Sequence, residues 1–126
     1  MEIAKPPSEI QQTIKGWEIN SDMLHHQLLE LKERYGNPNL YITESGCACQ
    51  DEMNTEGKVS DSDRIDYFRS YLRATARAIK DGVNLKGYFA WSLLDNFEWA
   101  CGLSERFGIV YVDYQTQKRT PKQSFY

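Results

Sequence analysis

The sequence predicts an α/β fold built on a parallel sheet, and three observations carry that expectation. Helical and strand periodicities alternate along the chain in the order helix, strand, helix, strand. Each helix–strand unit takes about forty residues, long enough for the crossover that parallel strands require. The composition, 40% hydrophobic and 26% charged over 126 residues, is that of an ordinary globular protein. There are no internal repeats and no low-complexity stretches.

The elements follow in order. Residues 1–20 hold Pro6-Pro7 and little periodicity, and they read as an irregular lead-in. Asn20 to Asp22 offer N-cap side chains, after which Leu24, Leu28, Leu31 and Tyr35 fall on one helical face. Gly36-Asn37-Pro38 ends that helix with a residue tolerant of left-handed geometry and then a breaker. The run Leu40-Tyr41-Ile42-Thr43 is a strand. A polar loop from Gly46 to Ser60 carries the acidic pair Asp51-Glu52.

Asp61 or Ser62 caps a second helix, with Ile65, Phe68, Leu72, Ala76 and Ile79 as its expected buried stripe. Arg64, Arg69, Arg73, Arg77 and Lys80 give it a basic flank, read as a solvated face. Asp81-Gly82 closes it, a strand runs from about Leu85 to Ser92, and a long loop continues to Arg106. Gly108 to Asp113 is a further short strand. Thr116 to Arg119 then turn the chain towards a helix barely begun at Tyr126.

Two parallel strands with their helices cannot close a core, because both outer edges stay bare and the helices have no sheet to cover. A (β/α)₈ barrel needs roughly 250 residues. The expectation is therefore a part of such a barrel, completed by the missing part, rather than an autonomous domain.

Several function classes fall away on bulk properties. A net charge of -3 argues against nucleic acid, which demands basic patches. No apolar run approaches the ~18 residues of a membrane span. The first twenty residues lack the apolar stretch of a secretory signal. Cys47, Cys49 and Cys101 form no Cys-x-x-Cys and have no His at metal spacing, so they read as reduced thiols in a cytoplasmic protein without metal or cofactor. His25-His26 have no acid at triad spacing and read as the polar side of the first helix.

The chemistry sits at the ends of the two main strands, where (β/α)₈ barrels keep their active sites. The first runs straight into Glu44-Ser45-Gly46, and the second into Trp91-Ser92-Leu93-Leu94-Asp95-Asn96-Phe97-Glu98-Trp99. A carboxylate can attack or stabilise an anomeric carbon, indoles can stack on pyranose faces, and a second carboxylate can grip hydroxyls. A bare Thr-Glu-Ser-Gly would equally describe a solvated strand end, and isolated tryptophans are more often core. The decision rests on their joint occurrence.

Tyr41-Ile-Thr-Glu44-Ser-Gly46 resembles the nucleophile motif of family 1 glycoside hydrolases, the β-glucosidase and β-galactosidase group. Asp81 to Trp99 resembles that family's last barrel strand and the following loop. Arg106 to Tyr114, Thr116 to Lys122 and Gly16-Trp17-Glu18-Ile19 are similar to its flanking segments. The resemblance covers roughly residues 16–126. It implies the last two strands of a TIM barrel with their helices, so that the whole chain is the C-terminal portion of one glycoside hydrolase domain.

The resemblance also implies roles. Glu44 would be the nucleophile of a retaining mechanism, and Trp91 the platform beneath the sugar. Glu98 would accept the 4- and 6-hydroxyls, Trp99 would bond the 3-hydroxyl, and Phe107 would line the pocket. Asp95 and Asn96 are read as tying down the loop. Where the family usually has Asn, this chain has Ser45, which bears on the geometry of the turn. The family's general acid/base belongs to an Asn-Glu-Pro motif, and these 126 residues contain none. The expected substrate is a small non-phosphorylated β-glucoside, β-galactoside or oligosaccharide. The alternative is a truncated, non-catalytic barrel fragment that binds sugar or only packs.

Overall fold

The computed structural model describes residues 10–126. The expectation for Pro6-Pro7 and the rest of residues 1–9 lies outside the described residues. Between Gln11 and Ile19 the chain turns back on itself through a bridge pairing Gln12 with Glu18.

Helix α1 (Ser21–Tyr35) starts where the Asn20 side chain accepts a hydrogen bond from the Met23 N–H, and stops at Gly36, whose φ of 70° is left-handed. Strand β1 (Leu40–Ser45) follows, then a loop, helix α2 (Ser62–Lys80) and strand β2 (Leu85–Ala90). The two strands pair in parallel, as the helical crossover between them requires. Strands β3 (Val110–Val112) and β4 (Arg119–Pro121) form a separate antiparallel hairpin. Among the described residues no helix is long and apolar enough to cross a membrane.

Both long helices cover one face of the β1–β2 pair. Leu28, Ala78 and Val83 form the centre of that packing, with Leu24, Leu29, Leu40, Ile42 and Leu85 around them. The small Ala74 and Ala78, both fully buried, let α2 lie close to the strands. The other sheet face is open: Tyr41 and Phe89 are exposed, as a barrel-inward face would be with its other strands absent.

Several sequence expectations need correction. On α1 only Leu24 and Leu28 of the expected face turn inward, while Leu31 and Tyr35 are exposed. The buried face of α2 is Arg64, Tyr67, Ala74, Thr75 and Ala78. Leu72, Ala76 and Ile79 lie outside, and Ile65 and Phe68 are half-buried. The cause is electrostatic: the Arg64 guanidinium is drawn inward by Asp51 and Asp61, so it is no part of a solvated flank. Arg69 and Arg77 do pair on the surface, with Asp66 and Asp22. His25 also meets an acid, Asp81, at 2.8 Å. The expected terminal helix is instead strand β4 and a single 3₁₀ turn, because Arg119–Pro121 pairs back onto Val110–Val112.

The polar-looking loop after β1 is anchored rather than loose. Cys47 and Cys49 are buried free thiols 3.6 Å apart, packed with Tyr67. Among the described residues no group of three or more His, Cys, Asp or Glu is placed to hold a metal ion.

Candidate active site

A one-residue irregularity at the end of β1 aims Glu44. Ile42 pairs with Tyr88 and Ser45 with Ala90, so three steps along β1 match two along β2. The extra residue is a β-bulge, which breaks the strict alternation of faces. Tyr41 and Thr43 are exposed by ordinary alternation, and Glu44 is exposed beside Thr43 because of the bulge. Ser45 then returns to the helix side.

Next to it, Trp91 is fastened to the same strand end. Its N–H donates to the Ser45 carbonyl at 2.8 Å. Gly46 lies against it so closely that a Cβ would stand 1.7 Å from the Trp91 carbonyl oxygen, so only glycine permits this passage. The Trp91–Ser92 peptide is cis. Beyond it, Ser92 and Leu93 bond the backbone of Phe107, Ile109 and Val110, which brings the Phe107 ring under the strand ends.

The result is an open cleft of about 410 Å³ lined by Glu44, Ser45, Gly46, Trp91, Phe107 and Trp17, with Leu24, Ile42, Tyr67 and Tyr71 completing it. Phe107 is buried, and the Trp17 ring is 6.2 Å from it. Lys15 stands over both rings, its Nζ 5.0 Å from the Trp17 centroid, and also reaches Cys101 Sγ at 3.0 Å. Behind the cleft, Ser45 Oγ accepts a hydrogen bond from Tyr88 Oη at 2.8 Å and lies 3.2 Å from Tyr67 Oη. Burial pushes both phenols above their ordinary pKa, so both are neutral at physiological pH.

Of the residues singled out in the sequence, the structure brings Glu44, Trp91 and Phe107 to one cleft. Glu98 and Trp99 stand apart, on the loop that follows. That loop is closed by the Glu98 N–H to the Gly102 carbonyl at 2.7 Å. Trp99 is 83% exposed. Glu98 is half-buried, with Oε2 out of contact with solvent and without a hydrogen-bond partner among the described residues. Asp95 does tie the loop down: it accepts from the Gly108 N–H, Arg106 and Lys122. Gly108 must be glycine there, since a Cβ would meet the Asp95 nitrogen at 2.2 Å. Trp17 was not picked out by sequence reasoning as a cleft residue, although it belongs to the Gly16-Trp17-Glu18 stretch that carried part of the resemblance.

Comparison with known proteins places this arrangement in a class. The model of glycosyl hydrolase family 1 matches residues 2–126, and the chain belongs to that family. It is 52% identical over 118 residues to beta-glucosidase A of Thermotoga maritima, covering 94% of this chain and 26% of that protein. It is 50% identical over 123 residues to a bifunctional beta-D-glucosidase/beta-D-fucosidase of Bifidobacterium breve, covering 94% and 27%. The family 1 β-glucosidase from T. maritima solved with isofagomine lactam superimposes with a TM-score of 0.92 at 50% identity, over 96% of this chain and 28% of that one. The chain thus spans about a quarter of the length of the relatives it matches, and its fold is part of a (β/α)₈ barrel.

Proposed function

We propose that this chain is the C-terminal part, with the last two strands, of a retaining β-glycosidase of the β-glucosidase type, with Glu44 as nucleophile. The observation that carries the reading is the bulge at Thr43-Glu44, which turns the carboxylate towards the cleft beside Trp91. In this mechanism a Glu44 oxygen attacks the anomeric carbon as the bond to the leaving oxygen breaks. A general acid from a strand outside this chain protonates that oxygen. The same group then takes a proton from water, which attacks the glycosyl ester and frees Glu44.

Trp91 offers its indole face to the C–H-rich side of the sugar. Glu98, on the loop that follows β2, takes the role of accepting sugar hydroxyls through charge-assisted hydrogen bonds. Trp99 donates its indole N–H to the 3-hydroxyl, and Phe107 and Trp17 wall the cleft. The substrate class is non-phosphorylated β-glucosides or β-galactosides. With one carboxylate lining the cleft among the described residues, the 126-residue chain alone is inactive, since the chemistry needs a pair across the bond.

The test joins this chain to the preceding three-quarters of a family relative, giving a completed barrel. An activated 2-deoxy-2-fluoro aryl glucoside should release its aryl group once per site and leave the sugar on the peptide containing Glu44, read by mass spectrometry. Labelling of another residue overturns the assignment. A completed barrel that binds sugar without any turnover would establish the non-catalytic alternative.

A further inference from the structure

We propose that Ser45 is a positioning residue, holding the bulge in the one register that presents Glu44; the proposal rests on the assignment of Glu44 as nucleophile. A β-bulge leaves its extra residue unpaired in the ladder. A slip of one residue would send a strand's side chains to the opposite face, so Glu44 would lose its present facing beside Trp91. Something must pin the strand just beyond the bulge, and Ser45 is the next residue along.

Its bonds reach α2, β2 and the residue that directly follows β2. The hydroxyl accepts from Tyr88 on β2 at 2.8 Å and lies 3.2 Å from Tyr67 on α2. Its carbonyl accepts the Trp91 N–H at 2.8 Å, so one residue fixes both the strand carrying the carboxylate and the indole beside it. A hydroxyl has one donor and two acceptor sites, enough for both phenols at once.

The phenols are themselves held. Tyr67 stacks on Tyr71 with centroids 4.2 Å apart and planes 19° from parallel. Tyr71 Oη in turn accepts from the backbone N–H of Asn20, the cap of α1, at 3.2 Å. The seat of Ser45 is thereby braced by both long helices. Removing the hydroxyl leaves the buried Tyr67 and half-buried Tyr88 phenols short of a partner and the bulge held by backbone alone.

The test compares Ser45→Ala and Ser45→Thr in the completed barrel, using the burst of aryl group from the 2-fluoro glucoside. Burst amplitude counts competent sites, and the burst rate constant reports attack at each one. Ser45→Ala should slow that rate constant roughly ten- to a hundredfold at near-full amplitude, with KM for an ordinary aryl glucoside little changed. Ser45→Thr, which keeps the hydroxyl, should restore most of the rate. If Ser45→Ala does not fold, Tyr88→Phe removes the shorter of the two bonds and should slow the same step. An unchanged rate constant, or a loss confined to amplitude and melting temperature, overturns the proposal. If Glu44→Gly keeps its activity in that barrel, the nucleophile assignment fails first. If Glu44 proves essential and Ser45→Ala is as fast as the parent, this inference alone fails.

Discussion

Two groups of charges in this molecule are treated in opposite ways. In the first, Asp51, Asp61 and Asp95 meet Arg64, Lys122 and Arg106 in a buried network. Lys122 bonds Asp51 at 2.6 Å and Asp95 at 2.7 Å; Arg64 bonds Asp51 at 2.7 Å and Asp61 at 2.5 Å. Burial works hardest against the Arg64 charge, yet its bonds to Asp51 and Asp61 and the neighbouring Cys49 together outweigh that and hold its pKa above the ordinary guanidinium value. In the second group, Glu44 is exposed at a strand end and Glu98 keeps an oxygen without a partner. Charges that hold the loop are paired and dry. Those we assign to sugar carry oxygens that no described residue bonds.

The largest expected effect tests that division directly. In the completed barrel, Glu44→Gly should remove nearly all hydrolysis while leaving sugar binding and thermal stability close to the parent. Among the described residues its charge pairs with nothing, so losing it should affect chemistry rather than the fold. Azide should enter the vacated space and restore some turnover of an activated aryl glycoside. Near-parental activity without azide, or a large drop in stability, would erase the distinction between the two groups.

The network should behave in the reverse way. Asp95→Ala leaves Lys122 and Arg106 each short of a carboxylate, together with the Gly108 and Val112 N–H groups that Asp95 accepts from. Breaking a buried pair from one side typically costs about 3–5 kcal/mol. Urea unfolding of the completed barrel should show a lowered midpoint of that order. A loss under about 1 kcal/mol would mean that these bonds position the loop without stabilising the fold.

Glu98 sharpens the contrast through substrate choice. A carboxylate within about 4 Å of a 6-phosphate meets a repulsion of about 4 kcal/mol for each phosphate charge at an effective dielectric near 20. That is roughly a thousandfold in specificity. An aryl β-glucoside should therefore be cleaved far faster than its 6-phosphate. The opposite order would overturn the role of Glu98 and the substrate class together.

What the sequence made legible was local. The α1 boundaries follow from Asn20 and Gly36, whose capping geometry depends on a few neighbours. The parallel pairing follows from helical crossovers too long for a hairpin. What it hid was set by distant partners. The inward turn of Arg64 depends on Asp51, thirteen residues back, and the pairing of His25 on Asp81, fifty-six residues ahead. The bulge at Glu44 is a property of two strands in register, and no single-strand pattern announces it. Thr116 to Arg119 was readable as a turn, yet whether helix or strand follows is decided by Val110–Val112 waiting to be paired. At the site, Glu44 and Trp91 were visible as strand-tip residues. Trp17 was not, because it reaches the cleft from a segment before α1.

Asp113 tests the smallest effect and stands between the two groups, half-buried and bonded to its own turn. Its Oδ1 accepts the backbone N–H groups of Gln115 at 2.9 Å and Thr116 at 3.0 Å, fastening the turn that joins β3 to β4. Hydrogen bonds from Thr116 and then Gln115 favour the charged form and hold its pKa below the ordinary carboxylate value. A depressed folded-state pKa means the unfolded chain takes up the proton first as pH falls. The stabilisation is therefore fully present above the unfolded value of about 3.9 and is lost as pH drops through the lower folded value. Asp113→Asn cannot titrate, so the completed barrel carrying it should show a shallower loss of stability between neutral and strongly acid pH. Solvent screens this carboxylate, so the difference should be far smaller than for Asp95→Ala. Stability curves of parent and Asp113→Asn that stay parallel from pH 7 to about 2 would show that the turn does not depend on this charge.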